Sequence, residues 1–270
     1  MRALLRPFAL LVVSCFCFLT SFAQTVRVLT VSGKATIQSS DGSPARQIVI
    51  GDTVTLGTRI VTAADGRVVI TPFPGIKSII SPSSDVVIEK LSETKAAGSN
   101  VALQQAVLNL KSGAVVSDLE KQEGVAYDYA IRTPRGVAGA RGTTYTVSVD
   151  IKGVESVIVT DGRIQITLAS GAAYSLAPGQ ASVSRPGAPE SAISNVSELP
   201  PADQKLLQTT LESSLGEIAK AIEGGVELKP ATLKGTLEFA EKVGIKLDPK
   251  LIESFESALE KEQQKKPLEP

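Results

Sequence analysis

From Val26 onward the chain sets apolar or β-branched residues against polar ones in short runs, and turn-forming residues separate the runs. The pattern predicts strands at residues 26–31, 35–38, 47–50, 58–61, 67–71, 76–80 and 86–90. A second series follows at 105–110, 114–117, 127–132, 144–149, 155–160, 163–168, 173–176 and 181–183. No window in this stretch holds a helical period, so βαβ units are excluded and the body is mainly β. Asp65-Gly66-Arg67-Val68-Val69-Ile70 and Asp161-Gly162-Arg163-Ile164-Gln165-Ile166 repeat one pattern, and each Asp-Gly suits a tight hairpin turn. Such units recurring at unequal spacing fit a β-roll or solenoid-like body, with a sandwich-like one as the alternative. Residues 91–100 form the clearest polar break, and an exposed, mobile loop is expected there.

The period changes near residue 184. Ser184-Arg185-Pro186-Gly187-Ala188-Pro189 cannot continue a strand, which predicts a linker over 185–200. Beyond it, Leu207, Leu211, Leu215, Ile218 and Ile222 recur at helical spacing and predict an amphipathic helix that stops at Gly224-Gly225. Two shorter units follow, Pro230 ahead of Leu233, Leu237 and Ala240, and Pro249 ahead of Ile252, Phe255 and Leu259. Residues 201–270 therefore read as an all-α segment of about three short helices. Helices with one apolar stripe each must pack somewhere, and a small bundle or a cap on the β body is preferred to a set reserved for a partner.

At the N-terminus, Arg2 and Arg6 precede an apolar run from Phe8 to Phe22 that ends in Ser21-Phe22-Ala23. This is the form of a secretory signal peptide, residues 1–23, cleaved after Ala23, which leaves a β domain over 24–184. The run is short of the ~20 apolar residues of a membrane span, so no stable span is expected after cleavage. Val12-Val13-Ser14-Cys15 has the shape of a lipoprotein signal, but the greasy Phe16-Cys17-Phe18-Leu19 after Cys15 disfavours it.

Both cysteines lie inside this leader and the whole chain lacks histidine, which excludes Ser-His-Asp and Cys-His catalysis and thiolate or imidazole metal sites. No cofactor or metal is expected. With 28 basic and 28 acidic residues the formal charge is zero, so nothing points to nucleic acid.

The most distinctive stretch is Thr133-Pro134-Arg135-Gly136-Val137-Ala138-Gly139-Ala140-Arg141-Gly142-Thr143-Thr144-Tyr145-Thr146-Val147, which reads as strand, compact loop, strand. Together with the frame from Gly51-Asp52 to Ile60-Val61-Thr62 and the turn Ala177-Pro178-Gly179-Gln180, it resembles the FecR-type extracytoplasmic domain, from about Val26 to about Val183. The resemblance implies a sensing and interaction unit. In the family's signalling members a cytoplasmic segment acting on a sigma factor and a membrane span precede the domain. Here a signal peptide stands in their place.

Within the motif, Thr133, Pro134, Gly136, Gly139 and Gly142 are expected to build the frame. Arg135, Arg141, Thr143 and Tyr145 are the binding candidates. In one reading Arg135 and Arg141 meet a carboxylate, carbonyl edge or sugar hydroxyl on a partner; in the other Arg141 and Thr143 pin the loop to backbone carbonyls. The pin is weighted above the ligand contact, with Arg135 expected to matter little for stability. Asp65, Asp118, Asp128, Asp150 and Asp161 could in principle supply a hydrolytic carboxylate pair, but turn-favouring aspartate is the ordinary explanation, so no catalytic residue is assigned. The expected role is an exported, non-enzymatic binding or scaffolding module, periplasmic or secreted, engaging an envelope protein or polysaccharide. The alternatives are an envelope enzyme acting on polysaccharide through carboxylates, a component of a surface-signalling system, or a purely internal structural role.

Overall fold

The computed structural model describes residues 24–95, 98–188, 194–228, 230–244 and 246–265, so the expected signal peptide, its cleavage site and Cys15 lie outside the described residues. Numbered in chain order, one β layer contains β1 (Val26–Ser32), β4 (Thr53–Val54), β6 (Arg67–Thr71), β7 (Ile76–Ile80), β12 (Thr144–Val149), β13 (Glu155–Asp161), β16 (Gln180–Ser184) and β17 (Ser194–Asn195). The other contains β2 (Ala35–Gln38), β3 (Arg46–Gln47), β5 (Arg59–Thr62), β8 (Asp85–Lys95), β10 (Val125–Arg132), β11 (Gly136–Ala140), β14 (Ile164–Leu168) and β15 (Ala173–Leu176). A long central strand, β9 (Ala102–Leu119), belongs to both. Its first half pairs with β8 and, in parallel, with β10; its second half pairs with β7 and β12. The first layer runs β4-β1-β6-β7-β9-β12-β13-β16-β17. The second runs β3-β2-β5-β8-β9-β10-β11-β14-β15. The mainly β expectation holds, in the form of a mixed sheet folded into two stacked layers.

Alternation sets what lies between the layers. Val68, Ile70, Ile80, Val115, Val147, Val157 and Val159 face inward from the first layer and meet Ile60, Ile88, Leu108, Leu110, Ile131 and Ile166 from the second. Tyr129 crosses this core. Its hydroxyl bonds to Ser78 Oγ at 2.7 Å and Ser117 Oγ at 2.8 Å, and its ring meets Tyr145 edge-on at 6.5 Å. Burial pushes the Tyr129 hydroxyl up to about 12, with the two serine bonds opposing it.

The first layer is apolar on its other face too. Val69, Ile79, Val116, Ile158, Ala181 and Val183 point away from the core and are covered by α1 (Pro201–Glu223), whose Leu207, Leu211, Leu215, Ile218 and Ile222 form the predicted stripe. Residues of α2 (Pro230–Lys242) and α3 (Pro249–Lys265), Phe239, Ala240 and Phe255 among them, complete the same cluster. The helices are thus a cap on the β body. Two ion pairs fasten it: Arg67 with Glu217 at 3.3 Å, both buried, and Arg185 with Asp203. The side chains of Leu233 and Leu259 lie outside the described set.

Four expectations change. Residues 105–110 and 114–117 are not two strands but parts of β9, which bends where Gly113, at φ +92°, lies so close to Ser84 that an added Cβ would sit 2.4 Å from its Cα. Residues 91–95 are not loop but the end of β8, because their polar groups are satisfied across the hairpin: Ser92 Oγ bonds Gln105 Oε1 at 3.3 Å and Gln104 Nε2 bonds Glu93 Oε2 at 2.6 Å. Ala96 and Ala97 fall outside the described residues. The strand expected at 47–50 ends at Gln47, since the Asp52 carboxylate gathers the Val49 N–H and the Arg46 guanidinium into a tight turn. Within the expected linker, Ser194–Asn195 pair with β16 and Val196–Glu198 form a short 3-10 turn, leading directly into the helical cap.

Candidate binding groove

The glycine-rich centre of the motif is a strand, which corrects the compact-loop expectation. β11 pairs with β10 on one side and β14 on the other. Its small residues serve close approach: a Cβ on Gly136 would lie 2.6 Å from the Thr167 carbonyl oxygen. True turns flank it, Thr133 to Arg135 before it and Arg141 to Thr143 after it, and Gly142 supplies the φ of +70° that the second requires.

The first turn is organised by Thr133. Its hydroxyl accepts from the N–H groups of Arg135 and Gly136, both at 3.2 Å, and hydrogen-bonds the buried carboxyl of Glu155. Arg135 in turn donates from Nε to Ser184 Oγ at 2.5 Å and lies within electrostatic reach of Glu155. The motif is therefore tied to β13 and β16 through Arg135, whereas Arg141 makes no hydrogen bond or ion pair among the described residues. The expected pin is corrected in part: Arg141 does not hold the loop and Arg135 does, while Thr143 bonds a backbone carbonyl, that of Arg163, as expected. Accordingly, Arg135→Ala is expected to cost about 1–2 kcal/mol in urea unfolding and Arg141→Ala to stay within about 0.5 kcal/mol of wild type. Equal costs would refute this division of roles.

Burial holds the Glu155 carboxyl above its ordinary value, against the opposing pull of the Thr133 hydroxyl and the Arg135 charge. A carboxyl that keeps its proton more tightly when folded contributes stability that is fully present below the unfolded pKa and is lost as pH rises through the folded one. Glu155→Gln lacks this titration. Its stability is expected to match wild type in acid and exceed it at neutral pH, and parallel stability curves across that range would count against the assignment.

On the outer face of the second layer, the register aligns side chains in rows across the strands. Ala130 pairs with Gly139, Gly139 with Gln165, and Gln165 with Ser175. The row's centre is low because Ala130 and Gly139 carry almost no side chain. Val137 and Thr167 are paired two positions along, and on the other side Arg141 and Arg163 flank the last β11–β14 pair, Ala140 with Ile164, with Asp128 on β10 beside them. The result is a groove of about 600 Å³ running across β10, β11, β14 and β15. Like charges on neighbouring strands oppose each other. Even so, neither Arg141 nor Arg163 has an acidic partner among the described residues, and the Asp128 carboxylate accepts from Gln105 Nε2 at 2.7 Å.

Of the binding candidates, Arg141 lines this groove. Arg135 lies on the other side of the motif, half-buried. Thr143 and Tyr145 point inward, so neither can meet a partner: Thr143 Oγ1 donates to the Arg163 carbonyl at 3.1 Å, and the fully buried Tyr145 hydroxyl donates to the Ala138 carbonyl at 3.3 Å. Thr133, Gly136 and Gly142 serve the frame, Pro134 stands exposed in the turn between Thr133 and Arg135, and Gly139 forms the groove floor. Arg163, Gln165, Thr167 and Ser175 are missing from the sequence-based set, though the alternation of Arg163, Gln165 and Thr167 with buried Ile164, Ile166 and Leu168 marks their face. Among the weighed aspartates, Asp118 is buried beside Thr144, Asp150 closes a turn by accepting the Lys152 and Val154 N–H groups, and Asp65 and Asp161 are exposed next to turn glycines. Asp128 stands mid-strand rather than beside a turn, and among the described residues it is the single carboxylate on the groove.

Residues 58–174, the stretch that holds the motif and nearly all of the groove, match the family model described as FecR protein. Two crystal structures of a "putative anti-sigma factor" from Parabacteroides distasonis ATCC 8503 are similar at 13% and 12% identity, with TM-scores of 0.40 and 0.38. The likeness covers 52% and 51% of this chain and 60% and 59% of theirs, so the chain spans about three fifths of those proteins. None of the curated proteins compared with the chain matches it.

Proposed function

We propose that the protein is an exported, non-enzymatic binding module of the cell envelope, which engages its partner through the groove across β10, β11, β14 and β15. One observation carries the reading: two arginines without acidic partners stand together on a groove floored by Ala130 and Gly139, on a sheet held rigid from behind by a packed core. A pair of guanidinium forks on a rigid sheet suits carboxylate, carbonyl or hydroxyl groups. Two-carboxylate hydrolysis needs a second acid opposite the first, and Asp128 has no such companion on the groove among the described residues. No helix among the described residues is long and apolar enough to cross a membrane, which fits a domain displayed outside a bilayer or beside one. The FecR match over 58–174 favours, as a second reading, a component of a surface-signalling system; both readings require capture of a partner.

The test is retention of envelope components, protein and polysaccharide analysed separately, on immobilised chain. Wild type should retain a component that Arg141→Ala/Arg163→Ala does not, with both melting at the same temperature. Equal retention by the two would remove the groove from the function. Turnover of a polysaccharide, abolished by Asp128→Asn, would put the enzymatic alternative ahead.

A further inference from the structure

The groove's shape and charge narrow what it holds, on the premise that it is the binding site proposed above. It crosses four strands, about 14 Å at the usual inter-strand spacing, which matches about four residues of extended chain. One side is cationic on balance: Arg141 and Arg163 stand there with Asp128, whose carboxylate already accepts from Gln105 Nε2, and the Lys121 side chain lies over Gly142 beside them, its Cε 2.7 Å from where a Cβ would be. Towards the β15 end Gln165 and Ser175 continue the row, and Thr167 stands on the side opposite the arginines; their amide and hydroxyl groups both donate and accept. Between them the floor is nearly bare backbone, Ala130 and Gly139, with Val137 as its apolar wall. A pyranose ring offers flat C–H faces, and no aromatic residue lines the groove to stack on them. A polypeptide instead presents alternating N–H and C=O groups to the polar end, small side chains to the floor and a carboxylate to the arginine forks.

We infer that the groove binds an extended acidic peptide segment of a partner protein, with one Asp or Glu carboxylate held between Arg141 and Arg163 and a small residue over Ala130 and Gly139. Gly139 gives a test that leaves charge untouched. An added Cβ there would meet only the Gln165 carbonyl oxygen, at 3.8 Å, and the residue does not have positive φ, so a larger side chain fits the strand while filling the trough.

Fluorescence anisotropy with the purified chain should show saturable binding of a labelled Gly-Glu-Ala-Asp-Gly peptide. Binding should weaken at least ten-fold in Gly139→Val and in Arg141→Ala/Arg163→Ala, fall with added salt, and be absent for the Gly-Lys-Ala-Lys-Gly analogue. Thermal melts equal to wild type show that the variants are folded. Acidic-peptide binding that Gly139→Val leaves unchanged would overturn the inference, as would no binding at all. Saturable binding of polygalacturonate that Gly139→Val abolishes, with no peptide bound, would overturn the peptide assignment while leaving the groove as the site.

Discussion

A chain ending after Pro186 is expected not to fold cooperatively, and to aggregate or bind hydrophobic dyes. The β layer that carries Val69, Ile79, Val116, Ile158 and Val183 turns those side chains away from the inter-layer core, and in the intact protein α1 covers them. Each Val or Ile contributes roughly 1.5–3 kcal/mol when fully buried, so uncovering five approaches the ~5–15 kcal/mol by which a typical domain is stable. The exposed surface would also be a continuous apolar patch on a sheet, which is an aggregation liability. Sequence pattern alone places a boundary at residue 185 and would make the β body self-sufficient; the double-sided burial of its first layer argues otherwise. Circular dichroism melts of the truncated and full chains decide the point. A cooperative transition in the truncated chain, near the full chain's midpoint, would show the cap to be dispensable.

The second large effect is expected at Glu217. Arg67 on β6 and Glu217 on α1 are both nearly inaccessible and pair at 3.3 Å, with Arg67 Nη2 also reaching the Lys220 carbonyl at 3.4 Å. Taking both charges out of water is costly, so the pair as a whole adds little net stability. Removing one partner strands the other, and Glu217→Ala is expected to cost about 3–5 kcal/mol. Arg67 Nε already lacks a partner, so among the described residues the Lys220 carbonyl is the one acceptor left to the guanidinium. The double replacement Arg67→Met/Glu217→Leu should recover most of the loss. An additive double mutant, worse than either single one, would refute this account.

Much of the fold is legible as alternation, and the failures have physical causes. Val68-Val69-Ile70 and Val157-Ile158-Val159 are continuous apolar runs rather than alternating ones, the mark of strands covered on both faces. That mark calls for a helical cap on the first layer, and the stripe from Leu207 to Ile222 supplies it. Gly136 to Ala140 misleads because glycine counts as a breaker in a pattern scan, yet here it sits in regular strand and is needed for close packing and for the groove floor. Arg141 and Arg135 cannot be ranked from local spacing, since the anchor of Arg135 is Ser184, 49 residues away. Arg163 sits in a repeat that reads as a hairpin signal, and only the register against β11 shows that it shares a surface with Arg141.

β9 has a kinetic consequence. Its partners, β7, β8, β10 and β12, span residues 76–149, and the strand completes both layers at once. Neither layer can close its ladder until that strand is placed, and its pairs join residues from 7 apart, Lys95 with Ala102, to 43 apart, Ile76 with Leu119. Folding should therefore be governed by one shared event, because the entropy of bringing four strands to one is spent before the core rewards it. Until then the half-built layers present open edges, and it is this interval that exposes the newly made chain to misassembly.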